Sequence, residues 1–136
     1  MLLSTVFAFF LSATASAAEL DAYRAFGEKP GLVRVVDDLL LNLLADKRTK
    51  PFFEKVEPVR LKEKLVEQFC VELGGPCTYT GQTMKRSHKG HEIGTADFYA
   101  LVEALQLAMD MNGIPSRAQN KLLAKLAPMQ KDIINK

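Results

Sequence analysis

Gly74 to Ile93 read GGPCTYTGQTMKRSHKGHEI, and this segment holds the side chain with the most specific chemistry, His88. Its Gly-Gly-Pro start ends the amphipathic helix before it, since glycine accepts a left-handed helix cap and proline cannot continue a helix. His88 therefore lies on a short segment pinned by a tight loop, opposite a helix with an apolar face. Proteins hold a haem iron with such an arrangement, and the alternative is an ordinary histidine beside a helical core.

Helical spacing of apolar residues continues on both sides of this segment, and strand-type alternation is absent, so the class is all-α. We predict helices from Leu20 to Phe26, from Pro30 over about four turns, from Pro58 to Leu73, from Thr95 to Met111, and from Ser116 with a kink at Pro128. Thr95 and Ser116 are the expected N-caps. The clearest apolar stripe is formed by Leu32, Val35, Val36, Leu39, Leu40, Leu43 and Leu44.

The overall composition is that of one ordinary globular domain. The chain has 136 residues, 18 basic and 16 acidic side chains, and a formal net charge of +2. This length suits one hydrophobic core. The near balance of charge gives no case for nucleic acid, or for a membrane in the mature form, as a partner.

The N-terminus differs from the rest. Met1 to Ala18 carries no charged side chain, Leu2 to Leu11 is almost wholly apolar, and Ala15-Ser16-Ala17 has the small-x-small form of a cleavage site. We therefore expect a signal peptide at 1–17, a mature domain at 18–136 and export to a periplasm. The apolar run is too short to span a bilayer as a mature membrane anchor. The alternative to a signal peptide is a tethered or frayed N-terminal helix.

Cys70 and Cys77 are the two cysteines, and outside the cytosol they would form either a short disulfide loop or two buried thiols. No Cys-x-x-Cys-His occurs, which excludes c-type haem attachment. With His88 and His91 the cysteines give the pattern C-x6-C-x10-H-x2-H, which is not a usual zinc spacing.

The segment from about Leu20 to Ile134 resembles the group I truncated haemoglobins. The resemblance rests on VVDDLLLNLLAD, PFF, RLKEKLVEQF, GGPCTYTGQTMKRSHKG, the phenylalanine in TADFYALV, and LAPMQKDI. It implies a two-over-two helical sandwich around a non-covalent haem b. It also implies that His88 is the proximal iron ligand, whose second ring nitrogen needs a partner to fix the ring.

Other site residues follow from the same resemblance. Phe53 falls on the phenylalanine that packs on the haem face, Tyr79 and Met84 belong to the loop at the haem edge, and Phe98 lies on the proximal wall. Thr80 and Lys85 belong to the same loop, and its hydroxyl groups, including that of Tyr79, or its cationic group would contact the haem propionates. Leu101 would complete the proximal wall. For Phe53 the alternative, plain core packing, is compatible with the haem contact.

The distal side departs from the family, which commonly places a tyrosine and a glutamine there. Leu40, Leu61 and Leu65 stand at those positions and are apolar. A hydrogen bond to a charged acceptor is worth about 1.5–3 kcal/mol, so its loss predicts roughly ten- to hundred-fold faster dioxygen release. Lys64 is a candidate sixth iron ligand or a surface lysine near a propionate, and Gln68 is a weaker candidate for reaching the cavity.

Two further departures from the family pattern lie outside the distal side, and the first concerns the geometry of the first corner. Glu28 follows Gly27 where relatives often have Gly-Gly, and Glu92 stands where a small residue is common.

The expected function is binding of diatomic gases (dioxygen, nitric oxide or carbon monoxide) at haem iron, of the oxygen-binding and oxygen-transport type. Nitric oxide dioxygenation with a reductase would be a side activity, and ligand binding is favoured over an enzyme. The alternatives are a six-coordinate redox-sensing or electron-transfer protein with Lys64 as distal ligand, and a haem-free helical binding module.

Overall fold

The computed structural model describes residues 21–136, and the predicted signal peptide lies outside these described residues. Within them the chain is helical and contains no strand, which confirms the all-α class. None of these helices is both long and apolar enough to cross a lipid bilayer. The helices are α1 (21–25), α2 (Glu28–Ala45), α3 (Lys50–Phe53), α4 (Pro58–Glu72), α5 (Met84–His88), α6 (Thr95–Met111), α7 (Ser116–Leu126), a 3₁₀ turn (Ala127–Met129) and α8 (Gln130–Ile133).

The core forms where α2 packs against α4 on one side and α6 on the other. The predicted stripe of α2 is confirmed, because all its members except Leu44 are buried. Each such side chain stabilises the fold by about 1.5–3 kcal/mol relative to exposure. From α4 and α6 the core receives Val66, Phe69, Cys70, Ala104, Leu105, Ala108 and Met109.

Two predicted N-caps are wrong by one residue. Gly94, not Thr95, caps α6, and its backbone N–H donates to Asp97 Oδ2 at 2.9 Å. That carboxylate also lies at the positive end of the helix dipole, which favours this start. Pro115 occupies the corresponding place before α7, so that Ser116 is the first helical residue.

The last predicted helix is interrupted near Pro128, as expected. The interruption is the 3₁₀ turn of Ala127–Met129, after which α8 resumes for one turn. Proline lacks the N–H that would continue the α-helical ladder. The turn brings α8 against α5, the helix that carries His88.

Cys70 and Cys77 form a disulfide, with a Cα–Cα distance of 5.9 Å. The bond ties the end of α4 to the loop that leads to α5. A side chain at Gly75 would lie 2.6 Å from Cys70 Sγ, which explains a glycine at this close approach. The disulfide leaves neither cysteine as a thiolate ligand, and residues 21–136 contain no group of three or more His, Cys, Asp or Glu side chains placed to hold a metal ion, so the predicted zinc pattern is not assembled there.

Candidate cofactor site around His88

His88 is the last residue of α5, and its ring is held from one side. Nδ1 lies 2.6 Å from the Met84 carbonyl oxygen and 3.0 Å from Ser87 Oγ. A carbonyl oxygen can only accept, so Nδ1 carries the proton and donates it to Met84. The other nitrogen, Nε2, then bears the lone pair that a metal ion requires. The expected orienting partner of the second ring nitrogen is thus the backbone of Met84.

Burial favours the neutral form of this ring. Removal from water lowers the pKa of His88 below its usual 6.5, and the nearby His91 adds to the lowering. The hydrogen bond to the Met84 carbonyl opposes both effects. Neutral imidazole is the form that binds iron, so the surroundings of His88 suit a ligand at neutral pH.

Asn135 fixes the chain on the far side of His88, and sequence reasoning missed it. Its Nδ2 donates to the His88 carbonyl oxygen at 2.6 Å, and its Oδ1 accepts from the Ile93 N–H at 2.7 Å. Its own N–H donates to the Ile93 carbonyl oxygen at 2.9 Å. These three bonds close the turn after α5 onto the segment following α8. The sequence offers no signal that predicts these bonds, because Asn135 lies 47 residues from His88 and 42 residues from Ile93.

Gln68 contacts α5, the helix that carries His88. It is buried in α4, and its Nε2 lies 3.3 Å from Met84 Sδ and 3.4 Å from Met129 Sδ. Gln68 therefore supports the residue whose carbonyl orients His88. Thioether sulfur is a weak acceptor, so these contacts contribute more to positioning than to stability.

The Tyr79 hydroxyl is engaged within its own loop. It donates to the Gln82 carbonyl oxygen at 2.6 Å, and its ring covers Gly81 so closely that a side chain there would overlap it. Partial burial raises the pKa of Tyr79, and the charge of Glu67 raises it further. Tyr79 thus shapes the loop before α5, and its hydroxyl is bonded to protein.

Lys64 belongs to a polar network that links α4 to this loop. Its Nζ lies 3.2 Å from Glu67 Oε1 and also donates to the Thr80 hydroxyl. The Thr80 N–H donates to Glu67 Oε2 at 3.0 Å, and this bond, with those from the Thr80 hydroxyl and Lys64, lowers the pKa of Glu67 despite desolvation. The Lys64 ammonium, with 19% of its side chain exposed, therefore already has partners.

The predicted lining residues supply apolar surface. Leu40 and Phe98 are 5% and 9% exposed, and both are buried outside the main core cluster. Leu61, Leu65 and Phe53 are half-buried, and Leu65 and Phe53 pack against the core from its edge, as does Leu101. A porphyrin has two apolar faces and one metal, and this combination of apolar side chains with one oriented imidazole fits it.

Comparison with known proteins agrees with this fit. The family model for the bacterial-like globins matches residues 21–135. The group 1 truncated haemoglobin of Mycolicibacterium paratuberculosis is 35% identical over 111 residues, covering 82% of each chain. The group 1 truncated haemoglobin of Nostoc commune is 26% identical, over 84% of this chain and 97% of its own.

Solved structures show the same architecture. The truncated haemoglobin of Tetrahymena pyriformis in its ferric form superposes with a TM-score of 0.80 and 25% identity, covering 85% of this chain and 98% of that one. The 2/2 haemoglobin of Synechococcus, with covalently attached haem, gives a TM-score of 0.78 at 18% identity over 85% and 98% of the two chains. The second likeness establishes only the fold, and both confirm the predicted two-over-two sandwich.

Proposed function

The chain belongs to the bacterial-like globins and is a group I truncated haemoglobin, and from this premise we propose that it binds diatomic gases at an iron ligated by His88 Nε2. Its cofactor is haem b, as is usual in this family. The observation that carries the proposal is the 2.6 Å bond from His88 Nδ1 to the Met84 carbonyl, which leaves Nε2 as the basic nitrogen.

Haem supplies an iron atom with a coordination position for one small gas molecule. The side chains determine how that molecule is held. Leu40, Leu61 and Leu65 offer no hydrogen-bond donor to a bound gas. Two long polar side chains of α4 could be considered as donors, but Lys64 is bonded to Glu67 and Gln68 contacts two methionines. This lining supports loose, rapidly reversible binding of dioxygen, and it affects the less polarised carbon monoxide and nitric oxide less.

Gas binding is therefore favoured over catalysis. Nitric oxide dioxygenation requires dioxygen to remain bound until nitric oxide arrives, and an apolar lining shortens that time. It also requires a reductase. Oxygen binding or transport is the function that the lining supports best, and dioxygenation would be a side activity.

The six-coordinate alternative is not favoured. It requires Lys64 to lose its proton and leave Glu67 and Thr80, two partners that stabilise the ammonium form. A lysine ligates iron only when neutral. The role of Lys64 that its contacts support is to fasten α4 to the loop before α5.

Export of the mature domain is part of the same proposal. The uncharged N-terminal segment with its small-x-small site supports it. The Cys70–Cys77 disulfide adds support, because such bonds persist mainly in oxidising compartments.

Haem titration of the purified protein tests the proposal. Wild type should take up one haem and give a Soret band typical of histidine ligation, and His88→Gly should lose that band and regain it when free imidazole is added. His91→Ala, three residues away, is the matched control and should behave as wild type. An unchanged Soret band in His88→Gly would contradict the proposal.

A further inference from the structure

The formal charge of the chain is distributed unevenly between two parts of the fold. Residues 83–91 and 111–136 contain eight basic side chains and one acidic one, a formal charge of +7. The rest of the described chain, 21–82 and 92–110, contains ten basic and fourteen acidic side chains, a formal charge of −4. The net charge of the whole sequence conceals this asymmetry.

The basic residues lie on connected elements. α5 contacts α8, α8 contacts the 3₁₀ turn, and the 3₁₀ turn contacts α7. Asn135 adds hydrogen bonds from the chain end to His88 and Ile93. We call this side of the molecule the basic face, and its basic side chains, all on exposed residues, are Lys85, Arg86, Lys89, Arg117, Lys121, Lys125, Lys131 and Lys136.

Five of these eight basic side chains have no internal ion pair within the described chain. Among residues 21–136, Lys85, Arg86 and Lys89 form no ion pair, and the same holds for Arg117 and Lys121. The ion pairs shorter than 4.0 Å between Asp37, Asp46, Arg48, Lys62, Glu63, Lys64, Glu67 and Glu103 lie on α2, α4, α6 and the α2–α3 corner. A cluster of uncompensated like charges projects a field that attracts and orients a partner of opposite sign.

The basic face also lacks apolar anchors. Among residues 21–136, eight large apolar residues are exposed, and only Met111 lies in the segments of the basic face, at their boundary. The others are Val33, Leu41, Val56, Val59, Val71, Tyr99 and Leu107. Insertion into a membrane surface needs such anchors. A charged face without them suits a transient protein complex, in which electrostatics sets the rate of association.

We propose that the basic face docks an acidic one-electron donor protein that keeps the haem iron ferrous. The inference rests on the proposed function, because reversible dioxygen binding requires ferrous iron. In this step one electron passes from the reduced donor to the ferric iron, the donor is oxidised by one electron, and no bond is made or broken. α5 carries both His88 and part of the basic face, so a partner docked there lies beside the cofactor.

The test uses the haem-loaded protein and a strongly acidic plant-type [2Fe–2S] ferredoxin as the probe. The second-order rate of ferric haem reduction is followed in a stopped-flow instrument at several salt concentrations, and binding is measured by calorimetry. Lys121→Glu with Lys131→Glu reverses charge on the basic face. Lys29→Glu with Lys47→Glu makes the same change in net charge at two exposed positions outside the basic face.

We expect the second-order rate of wild-type reduction to fall steeply as the salt concentration rises, because salt screens the attraction between the basic face and the donor. Such steering increases an association rate by about ten-fold or more. At low salt the basic-face variant should lose at least ten-fold in both rate and affinity, and the control variant less than three-fold. Equal losses in the two variants, or a rate independent of salt, would overturn the proposal.

Two further outcomes are distinguishable. Wild-type binding to phosphatidylserine vesicles that the basic-face variant loses, with the ferredoxin rate unchanged, would assign the face to a membrane and overturn the donor proposal. Absence of a Soret band would refute the proposed function itself. Calorimetry with ferredoxin would still test docking at the basic face. Loss of affinity in the basic-face variant alone would support docking there, and equal affinity in both variants would overturn the proposal.

Discussion

Introducing a hydrogen-bond donor at Leu40 should slow dioxygen release. Leu40 is 5% exposed, and under the proposed function it lines the distal side, at the position predicted to match the family's tyrosine. The Leu40→Tyr hydroxyl would therefore bond to dioxygen in a site that water hardly reaches. A bond to a polarised acceptor is worth about 1.5–3 kcal/mol, so the dissociation rate should fall roughly ten- to hundred-fold.

The assay mixes the oxygenated protein with carbon monoxide and follows the Soret change, which gives the dioxygen dissociation rate. Leu40→Phe is the matched control, because it adds the same ring without the hydroxyl. Both variants add bulk to a packed position and should lose about 1–3 kcal/mol of folding stability. Carbon monoxide dissociation should change little between them.

The comparison of the two rings decides the outcome. Equal dioxygen dissociation from Leu40→Tyr and Leu40→Phe would refute the assignment of Leu40 to the distal lining. An equal slowing for carbon monoxide would attribute the effect to shape rather than to hydrogen bonding.

Three other predictions concern the helix that carries His88 and the turn after it. Asn135→Ala should speed haem loss to apomyoglobin about five-fold, since removing its exposed bonds costs about 1 kcal/mol, whereas Asn120→Ala on α7 should have no effect. Glu92 has a φ of 51°, a left-handed conformation that costs a residue with a side chain about 1–2 kcal/mol, whereas the greater flexibility of glycine in the unfolded chain costs about 0.5–1 kcal/mol. Glu92→Gly should therefore stabilise the fold by about 1 kcal/mol in thermal melts. Glu92→Ala should bring no such gain. The pKa of His88 in the folded protein lies below 6.5, so the unfolded chain binds more protons than the folded chain as the pH falls from 7 to 5. Urea titrations of the haem-free protein should therefore show a free energy of unfolding that decreases over this range. The decrease should be smaller in His88→Gln.

Regular features of the sequence predicted most of the fold. The stripe of α2 was predictable because every turn of that helix buries the same face, and the end of α4 because Gly74 has a φ of 75°, which glycine tolerates. The N-caps of α6 and α7 were misplaced by one residue, since Gly94 gains its role from the Asp97 carboxylate rather than from a side chain of its own.

Long-range contacts account for the rest. The sequence left the disulfide open, because pairing depends on how the chain turns between Cys70 and Cys77. Asn135 could not be assigned, as its partners are distant in sequence and hydrogen bonds of this kind follow no spacing rule. The basic face emerged only when α5, α7 and α8 were placed together, since the total charge of the chain is nearly balanced.

Resonance Raman spectroscopy of the ferrous, gas-free protein tests the ligation by His88 most directly. Protein grown with ¹⁵N-labelled histidine should show the iron–histidine stretching band shifted to lower frequency. In His88→Gly with added unlabelled imidazole, a band should return that no longer responds to the label. A histidine-sensitive band that persists in His88→Gly would contradict the ligation of iron by His88 Nε2.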